Sequence, residues 1–123
     1  MLMAALFVLG GCKGETNQYL TPESTTEVFV NAFCTADFET MYDCTAENNR
    51  VIIQQIEKQM NMQKEQLKKI KENKVEISKV ECKMQNDSVA ECVCHYKLNG
   101  TPKKNVYMLN KKDSKWLVNL RLN

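Results

Sequence analysis

The chain has 123 residues, enough for one domain but not for a linker and a second domain once the apolar N-terminus is set aside. Hydrophobic residues at 43% and charged residues at 26% are ordinary globular usage, which excludes disordered and collagen-like compositions. Seventeen basic against fifteen acidic groups give a net charge of only +2, so the sequence predicts no nucleic-acid partner.

The N-terminus carries an uncharged apolar run from Leu2 to Leu9 that is too short to span a bilayer. Such a run followed by small residues is typical of a secretory signal peptide. Leu9-Gly10-Gly11-Cys12 resembles a bacterial lipobox, in which cleavage before the cysteine leaves an acylated N-terminus. The alternative, an apolar strand with a chance cysteine, would leave eight successive apolar residues without alternation to bury them. We therefore expect a signal peptide over residues 1–11, a lipid on Cys12 and a tether over residues 12–20.

Helix signals begin at Thr21-Pro22-Glu23, which supplies an N-cap hydroxyl, a first-turn proline and an acid. Four apolar residues at i, i+3, i+4 and i+7 predict one buried helix face, namely Phe29, Ala32, Phe33 and Ala36. A short second helix is expected to direct three side chains inward, those of Phe38, Met41 and Tyr42. Helical spacing then predicts one long helix over residues 46–73, with apolar positions at Ile52, Ile56, Met60, Leu67 and Ile70.

After residue 74 the apolar residues alternate, which predicts strands. Turn signals at residues 86–88, 99–101 and 112–113 divide this region into four antiparallel strands. We expect two cross-strand rows to face the helices: Cys94, Val106 and Val118, then Cys92, Met108 and Trp116. Residues 21–123 are therefore predicted to form a single α+β domain, with helices, one of them long, packed on a curved four-stranded antiparallel sheet.

Three segments resemble small bacterial lipoproteins of the nuclear transport factor 2-like superfamily: residues 25–33, the step over residues 36–42, and Lys112-Asp113-Ser114-Lys115-Trp116-Leu117-Val118. The resemblance implies a cystatin-like cone with a hollow between sheet and helices. It implies no single activity, because this cone carries several unrelated functions. The residues expected around the hollow are Phe29, Phe33, Tyr42, Tyr96, Met108 and Trp116.

The residues around this hollow favour binding over catalysis. The concave face is almost entirely apolar, the only histidine, His95, has the strand parity of the opposite face, and no oxyanion hole, phosphate loop or nucleophile elbow is evident. We assign no catalytic residue, and expect a membrane-anchored lipoprotein of the bacterial envelope that binds a ligand of unknown identity or supports an assembly. The alternative is a small hydrolase-like or isomerase-like enzyme that uses the cavity. Lys13 after Cys12 resembles the sorting signal for an outer membrane.

Five cysteines remain besides Cys12. With one histidine and no second close pair of cysteines, the sequence predicts no metal and no cofactor. The expected register places Cys82 opposite Cys92, where Cβ atoms about 4.5–5.5 Å apart are farther than a relaxed disulfide needs. We therefore expect a structural disulfide between Cys34 and Cys44, on consecutive helices, and at least one free thiol.

In the same register, the outer face of the sheet is unusually apolar for a half-solvated sheet, which suggests a covered surface. Its apolar residues are Val93, Tyr107, Leu109 and Leu117. The resemblance implies sheet-to-sheet dimerisation, so the expected partner is a second copy or another envelope protein. The alternative is a monomer in which lysines break up the patch.

Overall fold

The computed structural model describes residues 18–120, which form four α-helices followed by a four-stranded sheet. The predicted α+β class is confirmed. The signal peptide, Cys12 and residues 121–123 lie outside the described residues. Among the described residues, no helix is long and apolar enough to cross a bilayer. In chain order the elements are α1 (Pro22–Cys34), α2 (Phe38–Cys44), a 3-10 turn (Glu47–Asn49), α3 (Arg50–Asn61), α4 (Lys64–Lys71), β1 (Val75–Asn86), β2 (Val89–Leu98), β3 (Thr101–Lys112) and β4 (Lys115–Val118).

Helix α1 begins where the sequence predicts, because the Ser24 backbone N–H donates to the Thr21 hydroxyl at 3.1 Å. It lies on the inner face of the sheet and contacts β1, β2 and β4. Its buried face includes Phe29 and Ala32 as predicted. Phe33, expected on the same face, is 46% exposed and borders the cavities described below.

The prediction of one long helix over residues 46–73 is wrong. The segment is a 3-10 turn and two helices, and α3 and α4 are separated at Met62 and Gln63. There the Met62 N–H donates to the Gln59 carbonyl at 3.2 Å, and the Gln63 N–H donates to the Met60 carbonyl at 3.0 Å. These tight i to i−3 bonds end α3. The break turns α4 so that Leu67 and Ile70 still pack against the core.

The four strands form an open antiparallel meander in the order β1-β2-β3-β4. The register of β1 on β2 places Cys82 opposite Cys92, as predicted. The register of β2 on β3 differs from the prediction by one residue, since Cys92 pairs with Tyr107 and Cys94 pairs with Asn105.

The reason for this difference is the turn between β2 and β3. Asn99 has φ 51° and Gly100 has φ 86°, as a two-residue type I′ turn requires. The predicted rows need a three-residue connection. A one-residue slip turns every side chain of a strand to the other face, so Tyr107 and Leu109 lie inside and Val106 and Met108 lie outside.

Candidate ligand-binding groove

An open cavity of about 470 Å³, which we call the groove, lies between the sheet and the C-terminal part of α1. Helices α2, α3 and α4 form its other walls. Its apolar lining includes Phe38, Met41, Ile56, Met60, Ile70 and Leu98. Its polar lining residues other than Cys34 are Asn73, Tyr96, Lys103 and Asn105. A mostly apolar concavity with a few polar groups is the usual form of a small-molecule site.

Hydrogen bonds fix the helical wall of the groove to the end of α1. The Asn73 side-chain amide donates to the Cys34 carbonyl at 2.8 Å, and the Lys71 ammonium donates to the Ala36 carbonyl at 3.1 Å. The Asn99 amide donates to the Asn73 side-chain oxygen at 2.8 Å. The type I′ turn and the end of α4 are therefore held together, which gives the groove a rigid rim.

The floor of the groove carries a short hydrogen-bonded chain. The Asn105 amide donates to the hydroxyls of Tyr96 and Tyr107, each at 2.9 Å. Burial raises the pKa of Tyr107 to about 12, and burial also raises the pKa of Tyr96. Both phenols therefore stay protonated at neutral pH. Each hydroxyl accepts a hydrogen bond from Asn105 and can donate its own hydrogen, and the Tyr96 hydroxyl donates to the Cys34 sulfur.

A second apolar cavity of about 240 Å³ continues from the groove, and we call it the side pocket. Phe33, Met41 and Ile56 line both cavities. The rest of the side pocket is formed by Phe29, Ile52, Ile53, Tyr107 and Leu120. The Phe33 ring stacks on Phe29 with a centroid distance of 5.9 Å, so this half-exposed ring forms part of the boundary between the two cavities.

Three of the six residues expected around a hollow line these cavities. Tyr96 and Phe33 line the groove, and Phe29 and Phe33 line the side pocket. Tyr42 lines neither cavity, and its hydroxyl donates to Glu57 at 2.9 Å. Trp116 is buried at the other end of the sheet, where its carbonyl accepts from the Thr25 hydroxyl at 2.8 Å.

Met108 was also expected around the hollow, and this prediction is wrong because the register of β3 places its side chain on the outer face. The same register brings Lys103 and Asn105 onto the inner face, and sequence reasoning missed both. The signal that identifies them is Asn99-Gly100, because a two-residue turn places Lys103 opposite Tyr96.

The predicted disulfide between Cys34 and Cys44 is wrong. Cys82 and Cys92 form the disulfide, with Cα atoms 4.0 Å apart, closer than the roughly 4.5–5.5 Å between Cα atoms of ordinary antiparallel pairs. Cys34 is a buried thiol in the wall of the groove. Cys44 is the last residue of α2, and its sulfur contacts the Met41 carbonyl at 3.8 Å.

The free thiols are poor nucleophiles. Burial raises the pKa of Cys44 to about 12 and that of Cys94 to about 11, and burial also raises the pKa of Cys34. A thiol reacts as its thiolate, so these three buried groups stay unreactive at neutral pH. His95 lies on the outer face, with its Nε2 atom 3.5 Å from Glu81.

The outer face of the sheet carries part of the expected apolar patch. Val93 and Leu117 lie there half-buried, whereas Tyr107 and Leu109 belong to the core, because the type I′ turn shifts the register of β3. Val106, at 46% exposure, and Met108 take their place. We call Val93, Val106, Met108 and Leu117 the outer patch.

No protein-family model matches this chain, and no curated protein matches it significantly. Within residues 18–120, no group of three or more His, Cys, Asp or Glu side chains is placed to hold a metal ion.

Proposed function

We propose that this chain is a lipid-anchored protein of a bacterial cell envelope, and that its α+β domain binds a small molecule in the groove without catalysing a reaction. The observation that carries the binding proposal is the groove itself, an apolar space of about 470 Å³ with polar groups at its floor and rim. A scaffold without a ligand would gain stability by filling such a space with side chains.

The chemistry of the lining supports binding over a hydrolase-like or isomerase-like reaction. Among the described residues, no carboxylate or imidazole lines the groove. Its phenol, on Tyr96, and its thiol, on Cys34, both have a raised pKa and keep their protons at neutral pH. An enzyme of either kind needs a group that takes a proton near neutral pH. The groove therefore offers hydrogen-bond donors and apolar contacts in place of a base.

The finer fold proposed is the cone of the nuclear transport factor 2-like superfamily. The support is a helical layer on one face of a four-stranded meander, with an open cavity between them. The resemblance in residues 25–33, 36–42 and 112–118 adds to this. Fold alone assigns no activity, so the function rests on the groove.

Lipid anchoring is proposed from Leu9-Gly10-Gly11-Cys12, and Lys13 favours an outer membrane. Tyr19, within the segment expected as a tether, is buried in the core, and its carbonyl accepts from the Trp116 N–H at 2.7 Å. Trp116 pairs with Lys111 of β3. Lys103, at the groove, lies eight residues before Lys111 on the same strand, so the two positions are about 25 Å apart. The membrane would therefore attach at the end of the sheet opposite to the groove, and the groove would stay open to solvent.

Acyl labelling tests the anchor. Cys12→Ser is expected to abolish incorporation of radioactive palmitate and to remove the protein from the membrane fraction. Lys13→Ser is the matched control, and it is expected to keep the label. Unchanged labelling of Cys12→Ser would refute lipidation at this residue.

An uncharged apolar fluorophore, 1-N-phenylnaphthylamine, tests the groove. The full chain carrying Cys12→Ser is used, because it has no acyl chain of its own to compete. We expect saturable binding that Met60→Trp abolishes by filling the groove. Met62→Trp is the matched control, since Met62 is 78% exposed two residues further on. Binding that ignores Met60→Trp, or no binding at all, would contradict the proposal.

The outer patch is proposed as the contact with a second copy or with another envelope protein. The support is its run of apolar side chains on a half-solvated sheet face. Light scattering on the same chain tests self-association: Val106→Glu should shift a dimer to monomer, and the outward Lys104→Glu, two residues before it in the sequence, should have a smaller effect. A monomer at high concentration would leave only the foreign partner.

A further inference from the structure

Among the described residues, the groove has one charged residue in its lining, Lys103. Lys103 is the cross-strand neighbour of Tyr96, so it stands on the inner face of the sheet at the rim of the groove. Within residues 18–120 its exposed side chain forms no ion pair and no hydrogen bond. Lys71 does not line the groove, and its ammonium donates to the Ala36 carbonyl at 3.1 Å.

The other polar groups of the rim are already satisfied. Both ends of the Asn73 side-chain amide are used, since its nitrogen donates to the Cys34 carbonyl and its oxygen accepts from Asn99. On the floor, the Asn105 side-chain nitrogen donates to the hydroxyls of Tyr96 and Tyr107. Among the described residues, the polar groups left for a ligand in the groove are therefore the Lys103 ammonium, a charged donor, and the Asn105 side-chain oxygen, a neutral acceptor. Because the one charge among these groups is positive, they favour a ligand with an anionic oxygen over a cationic ligand.

The apolar part of the site is long. From the Lys103 rim the groove passes Met60 and Ile56, and the side pocket continues it beyond Phe33 to Leu120. Met41 is shared by both cavities, and methionines adapt their shape to an apolar ligand. Two apolar chambers in sequence fit a flexible chain better than a compact ring system.

From these three observations we infer that the ligand of the groove is a single-chain carboxylate of the fatty-acid class. Its carboxylate pairs with the Lys103 ammonium at the rim, and its hydrocarbon chain lies along Met60 and Ile56 toward the side pocket. This inference rests on the proposed binding function and adds the chemical class of the ligand.

Displacement of bound 1-N-phenylnaphthylamine from the full chain carrying Cys12→Ser tests the class. Three competitors share a twelve-carbon chain and differ only in the head group: dodecanoate, dodecanol and dodecylammonium. We expect dodecanoate to displace the fluorophore at a concentration about tenfold lower than dodecanol, the effect of one charge-assisted hydrogen bond at a partly exposed site. Dodecylammonium should be the weakest competitor.

Two variants test whether Lys103 supplies the positive charge that binds the carboxylate. Lys103→Met should remove the advantage of dodecanoate while leaving displacement by dodecanol unchanged, which also shows that the variant is folded. Lys104→Met is the matched control, because Lys104 is the next residue and stands on the outer face opposite His95. It should keep the full advantage.

The outcomes separate the two proposals. Equal displacement by dodecanoate and dodecanol would overturn the carboxylate inference and leave groove binding in place. An equal loss in Lys103→Met and Lys104→Met would overturn it as well, since a general surface charge would then explain the preference. If the fluorophore does not bind the parent chain, or if Met60→Trp does not block it, groove binding itself is wrong.

Discussion

The two ends of the interface between α1 and the sheet are packed very differently. At the closed end, Leu109 and Val118 are 0% exposed and Trp116 is 5% exposed. At the groove end, Phe33 on the same helix is almost half exposed, and Ile56 and Met60 are only partly buried. One helix and one sheet thus produce a dense core and an open cavity.

The difference lies in what covers each end. At the closed end, the Trp116 N–H donates to the Tyr19 carbonyl, and the Ala46 N–H donates to the Val118 carbonyl at 2.8 Å. These two connections seal the edge strand β4. At the groove end, the cover is made by α3 and α4, which are separate helices that contact the core through partly buried side chains. We infer that the closed end supplies most of the stability and that the groove end supplies the space for a ligand.

The largest expected effect comes from a cavity in the closed end. Leu109→Ala should lower the free energy of unfolding by about 3 kcal/mol, because it removes a fully buried side chain. Met60→Ala, the matched change at the groove end, should cost less than about 1 kcal/mol, because its side chain already borders an open space. Urea denaturation measures both. Equal costs would remove the distinction between the two ends.

The second-largest effect on stability is expected from removing the disulfide. Cys82 and Cys92 are ten residues apart and join β1 to β2 in the row of Tyr107, between the two ends. Replacing both with alanine should lower stability by roughly 2–3 kcal/mol, the entropy that closing a loop of this size removes from the unfolded chain. Thermal unfolding of the variant and of the reduced parent should agree. A midpoint that does not move would show that the bridge carries no stability.

A smaller effect is expected from the hydroxyl of Thr25, which donates to the Trp116 carbonyl at 2.8 Å. Thr25→Val should cost about 1 kcal/mol by leaving that buried carbonyl with one partner fewer. Thr26→Val is the control, because the Thr26 hydroxyl donates to the Pro22 carbonyl within the same helix, whose ladder already uses that carbonyl. Chemical denaturation in which Thr26→Val costs more than Thr25→Val would contradict this account of the closed end.

The smallest effect concerns the thiols and pH. Burial raises the pKa of Cys44 from 9.0 to about 12. As the pH rises above 9 the unfolded chain loses a proton that the folded chain keeps, so stability falls with rising pH in this window. At about pH 9.5 the loss should be below about 1 kcal/mol. Cys44→Ala should flatten the pH dependence more than Cys34→Ala does at the groove wall. If Cys34→Ala flattens it more, the Cys44 thiol does not titrate as proposed.

The features predicted correctly from sequence are those that local signals determine. Thr21-Pro22 begins α1, and alternation after residue 74 gives the four antiparallel strands. The break between α3 and α4 was missed because helical spacing continues from Met60 to Leu67, although the backbone is not helical at Gln63. Apolar spacing reports which residues face the core and not whether one helix presents them.

The groove was predicted only in part, because its floor depends on strand register. Phe33 and Tyr96 were identified from their type and position. Lys103 and Asn105 were missed since the predicted register needs one more residue in the turn than Asn99-Gly100 provides. One residue of register decides which face of β3 carries the polar groups, and apolar pairing alone does not determine it when both faces are rich in apolar side chains.

The most direct test of the account is a titration of the full chain carrying Cys12→Ser with dodecanoate, followed by the methyl signals in nuclear magnetic resonance spectra. The account predicts that the shifts of Ile56, Ile70 and Leu98 move with the ligand concentration, because these residues line the groove. The shifts of Leu109 and Val118 at the closed end should stay in place. Changes confined to the closed end or to the outer patch, or no changes at all, would contradict the assignment of the groove as the ligand site.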